Sequence, residues 1–282
     1  MSNACGRCDF YADLMVRRQH RHRWFMGAGD IISTGLRTVR GHSGNPMKAS
    51  QYSRRMQRRS GVLLILLAAT GSAAAHEVSG SAALTSDYVW RGSTQSQGDA
   101  AMQAGFNVAG DSGFHVSAWG SSVEFAPGTH ASSELDFTVG WGGQLSEDWA
   151  LDARLLHYRY PSTTVDLNWT ELNSTLTWKN DYWLSLGWSP EALGTPRDGL
   201  YSQLGARVPL GGQLRMEVMA GYYTLQGAPG GGYAHGQLSV IRAITAPLEL
   251  RLSAHATDRH ARDLFGDDFA GSRWEVALQG AF

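Results

Sequence analysis

The sequence predicts an all-β protein: an antiparallel transmembrane β-barrel of about 12 strands occupying residues 76–282. Three observations predict it. Short segments alternate apolar and polar side chains with a period of two, their connections alternate short and long, and aromatic residues gather at the segment ends.

The chain first divides by charge. Residues 1–75 carry 12 Lys and Arg against 3 Asp and Glu, whereas residues 76–282 carry 12 against 22. The boundary has the form of a secretory signal peptide at 47–75. Arg54, Arg55, Arg58 and Arg59 make a basic start and Val62–Ala69 an apolar run too short to span a bilayer. Ala73-Ala74-Ala75 then fits a small-residue cleavage site, which sets the expected mature start at His76. Residues 1–46 read as an unstructured over-extension ahead of Met47. Cys5 and Cys8 in that segment form a lone CxxC without a second pair, and residues 76–282 contain no Cys, as suits an oxidising compartment.

The strands expected after His76 cover 78–91, 101–108, 114–121, 134–144, 149–160, 168–178, 182–189, 200–208, 214–223, 233–241, 248–257 and 273–282. Most approach the roughly 9–11 residues that a tilted strand needs to cross a bilayer. The segment ELDFTVGWGGQ is the clearest, with Leu135, Phe137, Val139 and Trp141 on one face and Glu134, Asp136 and Thr138 on the other. In WALDARLLHYRY the phase slips: the apolar face Trp149, Leu151, Ala153, Leu155 runs on into His157 and Arg159. A bulge near Leu156 would restore the phase, and a strand projecting past the membrane is the other reading.

Connections after even-numbered strands are 5, 4, 3, 5 and 6 residues, and those after odd-numbered strands 9, 12, 7, 10, 9 and 15. A barrel with tight turns at one rim and long loops at the other produces this alternation; a β-sandwich has no reason to. The ring-bearing residues sort likewise. Tyr88, Trp90, Trp188, Tyr222 and Trp274 fall at one expected interface, and Trp141, Trp149, Trp178, Tyr182 and Phe282 at the other.

In a lipid-embedded barrel an Arg facing mid-bilayer hydrocarbon costs about 2–4 kcal/mol, so charged positions must face inward. That assigns Asp87, Arg91, Glu134, Asp136, Asp152, Arg154, Glu171, Arg207, Arg215, Glu217, Glu249, Arg251, Arg273 and Glu275 to the interior as expected pore-lining residues. In LTSDYVWRGSTQS the same parity sends Asp87, Val89 and Arg91 inward and Leu84, Tyr88 and Trp90 to lipid. Both signs are interleaved, which suits either a polar conduit or a salt-bridged interior that conducts little.

Other chemistries find less support. His115 with Ser117, and Ser253 with His255, lie two residues apart, but no GxSxG elbow occurs, so no catalytic residue is assigned. Asp263, Asp267 and Asp268 with His260 lack the EF-hand spacing, so no metal and no cofactor is expected. An acidic 76–282 with a single Lys, Lys179, excludes nucleic acid as a partner. The run GAPGGGYAHG (227–236) could fold into the mouth or stay outside it.

The pieces LTSDYVWRGSTQS (84–96), AAMQAGFNV (100–108), SGFHVSAWGSSVEF (112–125), SELDFTVGWGG (133–143), HYRYPS (157–162) and NWTEL (168–172) resemble the TorF-type porin family, formerly grouped as proteobacterial proteins of unknown function. Trp90 stands where that family usually has Phe, and Ser93-Thr94 where a more apolar residue is common. The resemblance implies an outer-membrane protein without catalytic residues, cofactor or established substrate. The expectation is therefore an outer-membrane barrel passing small polar solutes. Its alternatives are a non-conducting structural or binding barrel and a barrel hydrolase. Expected partners are outer-membrane lipid and the barrel-assembly machinery, the latter reading Phe282 with Leu278, Val276 and Trp274 on one face.

Overall fold

The computed structural model describes residues 76–282, Ser162 apart. The expected signal peptide, the segment 1–46 and the Cys5/Cys8 pair lie outside the described residues. The strands in chain order are β1 (His76–Thr85), β2 (Val89–Trp90), β3 (Ser93–Thr94), β4 (Ala101–Gly110) and β5 (Phe114–Ser122). They continue with β6 (Ser133–Gln144), β7 (Trp149–Arg159), β8 (Trp169–Trp178), β9 (Tyr182–Ser189) and β10 (Gly199–Gly211). The last four are β11 (Leu214–Leu225), β12 (Gly232–Thr245), β13 (Leu248–Thr257) and β14 (Arg273–Ala281). All except β2 and β3 join one closed antiparallel barrel, each strand beside its chain neighbours, with β1 pairing β14 to shut the ring. The expected 12-stranded barrel is therefore the observed fold.

Alternation follows the physical rule inferred from charge. On β6, Leu135, Phe137 and Val139 stand exposed on the outer wall, while Glu134 and Asp136 between them are 2% exposed inside it. Short turns at 111–113, 145–148, 179–181, 212–213 and 246–247 form one rim, the turn end; long connections form the other, the loop end. Trp188, Tyr222 and Trp274 are exposed at the loop end, and Trp149, Trp178, Tyr182 and Phe282 at the turn end.

Three expectations need correction. β1 ends at Thr85 rather than running to 91, and the following residues turn inward as the β2–β3 hairpin. Tyr88 and Trp90 are consequently buried among interior rings, not presented to lipid. No bulge interrupts β7 either: its register with both neighbours is continuous from Ala150 through Tyr158. Tyr158 and Tyr160 point inward with Leu156, and His157 and Arg159 stay outside, beyond the last outer apolar residue, Leu155. Finally, the loop after β13 contains a short helix, α1 (Arg259–Phe265). Asp258 caps it by accepting from the Ala261 amide at 3.1 Å.

Phe282 extends the closing seam between β1 and β14. The Gly80 amide donates to the Phe282 carbonyl at 2.6 Å, and the Phe282 amide to the Gly80 carbonyl at 2.9 Å. A Cβ on Gly80 would come within 2.5 Å of the Phe282 ring, so glycine there lets the ring lie across the seam. Deleting Phe282 removes both bonds and the exposed terminal ring. The expected outcome is slowed or failed insertion, read as loss of the heat-modifiable folded band in membrane fractions; normal yield would contradict it.

Candidate functional site: a charged interior under an inward hairpin

The interior is built by the inward parity of twelve strands, and all fourteen charged residues singled out above lie within it. Two belong to no wall strand: Asp87 and Arg91 enter on the connection between β1 and β4. Arg91 and Gly92 form the two-residue turn joining β2 to β3, with φ of 47° and 82°. Positive φ at both positions is the primed turn that suits a tight hairpin. A Cβ at Gly92 would meet the His235 and Thr257 side chains at 2.7 and 2.6 Å, so the tip approaches the barrel wall too closely for any other residue.

The tip delivers a guanidinium into the ring. Arg91 Nη1 and Nη2 donate to Glu171 Oε2 and Oε1 at 2.8 and 2.6 Å, a bidentate pair whose side chains are 3% and 0% exposed. The Arg91 guanidinium lies 3.8 Å from the Tyr201 ring centre, 4.3 Å from Trp90 and 4.8 Å from Tyr223. Burial works to lower its pKa, but Glu171 together with Tyr158 and Tyr223 holds it well above the usual arginine value, so the group stays charged. Around the pair, Tyr158 stacks on Trp169 with centroids 4.1 Å apart, and Trp90 sets its ring edgewise to both.

The hairpin is also fastened at its base. Asp87 accepts from Thr94 Oγ1, from Ser96 Oγ at 3.2 Å and from Arg273 Nη1 at 3.1 Å. The Thr94 amide donates to the Phe269 carbonyl at 2.9 Å, and the Glu124 amide to the Gln95 carbonyl at 2.7 Å. The glycine-rich connection after β11, in contrast, forms a single 3-10 turn at Pro229–Gly231 and then enters β12. The inward constriction is made by the first long loop.

Beneath the hairpin the charges are arranged in compensating groups. Glu275 accepts from Thr85 at 2.7 Å and bonds His255 Nε2 at 3.0 Å. Glu134 accepts from the Tyr160 hydroxyl at 2.9 Å. Near the turn end Glu217 meets three arginines, Arg207, Arg215 and Arg251, at 3.1, 3.3 and 3.1 Å. Arg215 also forms a bidentate pair with Glu249 at 2.7 and 2.8 Å. Asp152 bridges His115 and Arg154, each at 2.9 Å. Asp136 is buried on the same inner wall.

Packing here is close. Glu171, Glu217, Arg251 and Glu275 are each 0% exposed, so at their levels the described conformation leaves no open water column beside them. Several polar atoms nevertheless lack a protein partner: both amide atoms of Asn107, Nε and Nη1 of Arg251, and Oε1 of Gln237.

The other sequence candidates resolve into structural partners. His115 and His255 each bind a carboxylate through Nε2, and Ser253 Oγ pairs with Ser239 Oγ at 2.9 Å rather than with a histidine. Asp263 lies near Arg259 at 4.0 Å and His260 near Asp258 at 3.8 Å. Among the described residues no group of three or more His, Asp or Glu is placed to hold a metal ion. Among the interior aromatics, Tyr88 and Trp90 were expected at an interface, whereas Tyr158, Trp169, Tyr201, Tyr223 and Tyr233 were assigned no site role. The Arg-Gly turn between Trp90 and Ser93 was the signal that could have found the first two.

Comparison with solved structures returns barrels of low identity. The KdgM porin in complex with disordered oligogalacturonate is 8% identical, covering 73% of this chain and 98% of its own, with a TM-score of 0.47. The NanC porin is 9% identical over 73% and 99%, with a TM-score of 0.48. Outer membrane protein Omp33 of Acinetobacter baumannii is 7% identical over 73% and 97%, with a TM-score of 0.40. None of these likenesses bears on what this chain carries or binds. The search of curated proteins gave no match. The profile of one family matches residues 69–278, nearly the whole barrel and the residues just before it. The chain belongs to the Gcw_chp family, bacterial proteins of unknown function.

Proposed function

We propose that the protein is an outer-membrane channel for small polar solutes, closed in the described conformation by the β2–β3 hairpin. The loop end faces outward and the turn end faces the periplasm, as the alternation of long and short connections leads one to expect. The observation that carries the reading is the inner wall itself, where fourteen charged residues face inward in a closed ring whose outer wall is apolar. A lining of this polarity supports a path for a polar solute once the hairpin withdraws. The fourteen inward charges would line that path, and the TorF-type resemblance points the same way.

A second reading has its own observation. Side chains as closed off as Glu171, Glu217, Arg251 and Glu275 suit a non-conducting barrel whose interior is a salt-bridged core and whose work is done at the loop end. Neither reading calls for catalysis or a cofactor.

Planar-bilayer recording separates them. Replacing one partner of a buried ion pair costs about 3–5 kcal/mol, because the other charge is left uncompensated. Glu171→Gln should therefore release the hairpin and raise open-channel occupancy well above that of the wild type, whose steps should be rare. Silence from both proteins, with folding verified, would favour the non-conducting barrel. A second prediction concerns the lining. Removing two inward carboxylates, Asp136→Asn with Asp152→Asn, should move the reversal potential toward anion preference under a salt gradient. An unchanged potential through a conducting barrel would remove both from the path.

A further inference from the structure

We propose that the loop end carries a binding site for a compact, uncharged, mostly apolar molecule. The site is separate from the polar interior and does not depend on whether the barrel conducts. It is a cavity of about 330 Å³ between the hairpin and the surrounding loops, walled chiefly by Trp90, Phe125, Trp169, Leu264, Phe265 and Phe269. Four separate parts of the chain supply these walls: the hairpin, the connection after β5, the start of β8, and α1 with the residues following it. The volume is at the small end of the roughly 300–1,000 Å³ of ligand sites, which suits a molecule of one or two rings.

The chemistry of the lining selects against charge. None of the described residues lining the cavity is ionised at neutral pH, whereas charged side chains crowd the interior beneath it. An ionic solute entering here would lose water without gaining a counter-charge. Most polar groups on the walls are already engaged within the protein. Thr94 Oγ1 donates to Asp87, Thr129 Oγ1 to the Ala126 carbonyl at 2.8 Å, and Gln95 Nε2 to the Ser93 and Thr94 carbonyls at 3.2 Å. The Trp90 indole N–H is closed off from the cavity, so its ring lines it as an apolar surface. A ligand of aromatic or alicyclic bulk matches such walls.

The site also touches the device that closes the barrel, since Trp90 walls the cavity on one side and lies 4.3 Å from the Arg91 guanidinium on the other.

The test uses 4-fluoroacetophenone, a single ring with one carbonyl, followed by ¹⁹F NMR against the barrel in lipid nanodiscs. The expected result is saturable broadening absent from empty nanodiscs and lost in Phe269→Asp, with the folded barrel verified by its heat-modifiable mobility. Leu264→Asp repeats the test on α1 should the first variant misfold. Broadening equal to that in empty nanodiscs, or surviving both Asp variants, overturns the site. Equal binding of 4-fluorobenzoate overturns its selection against charge.

Discussion

Hydrocarbon on one side of the wall is the constraint from which the rest of this structure follows. Every ionisable side chain on a spanning strand must either face the interior or incur a large transfer cost. The interior of a twelve-stranded ring is narrow, so charges sent there are brought within bonding distance of each other. Compensation then becomes obligatory: Glu217 gathers three arginines, Arg215 clasps Glu249, and Asp152 sits between a histidine and an arginine. The outer wall is left as a nearly unbroken apolar surface, and its large side chains are the exposed ones. This inverts the usual arrangement of a water-soluble protein, where large apolar residues are the buried ones.

The hairpin is the one place where a charge enters the ring without belonging to a wall strand. Arg91 is carried in on a primed turn with positive φ, which is uncommon for a non-glycine residue. Glu171 and three aromatic faces hold its guanidinium in the ring. The tip of the hairpin is thus tied to the wall through one buried ion pair. Fastening at Asp87, Thr94 and Gln95 confines any movement to the hairpin as a unit.

Much of this was legible from residue order. Two-residue alternation placed Glu134 and Asp136 opposite Leu135 and Phe137, and loop-length alternation announced the two rims. The inward phase of Glu217, Arg251 and Glu275 followed from the same parity. What the pattern could not reveal is where β1 stops, because Asp87, Val89 and Arg91 continue its parity into the hairpin. Both a wall strand and an inward hairpin alternate, so periodicity alone cannot separate them; the Arg91-Gly92 turn does. Residues 157–160 misled for a related reason. Past the last lipid contact an outward His157 or Arg159 costs little, and Tyr158 and Tyr160 keep the inward parity. The identity of charge partners was also out of reach, since Arg91 and Glu171 meet across the ring, 80 residues apart. The helix after β13 rests on one capping contact and seven residues, too short for a periodic signal.

The central claim is that outer and inner faces divide the aromatic residues as the described structure has them, with Trp188 and Trp274 in lipid and Trp90 inside the ring. The most direct measurement uses protein labelled with 5-fluorotryptophan in nanodiscs, each ¹⁹F signal assigned by one Trp→Phe substitution. Nitroxide-bearing lipids are then added. The account predicts strong broadening of the Trp188 and Trp274 signals and an unaffected Trp90. A Trp90 signal broadened as strongly as Trp188 would contradict it, because β1 would then continue through the membrane face and no hairpin would close the mouth.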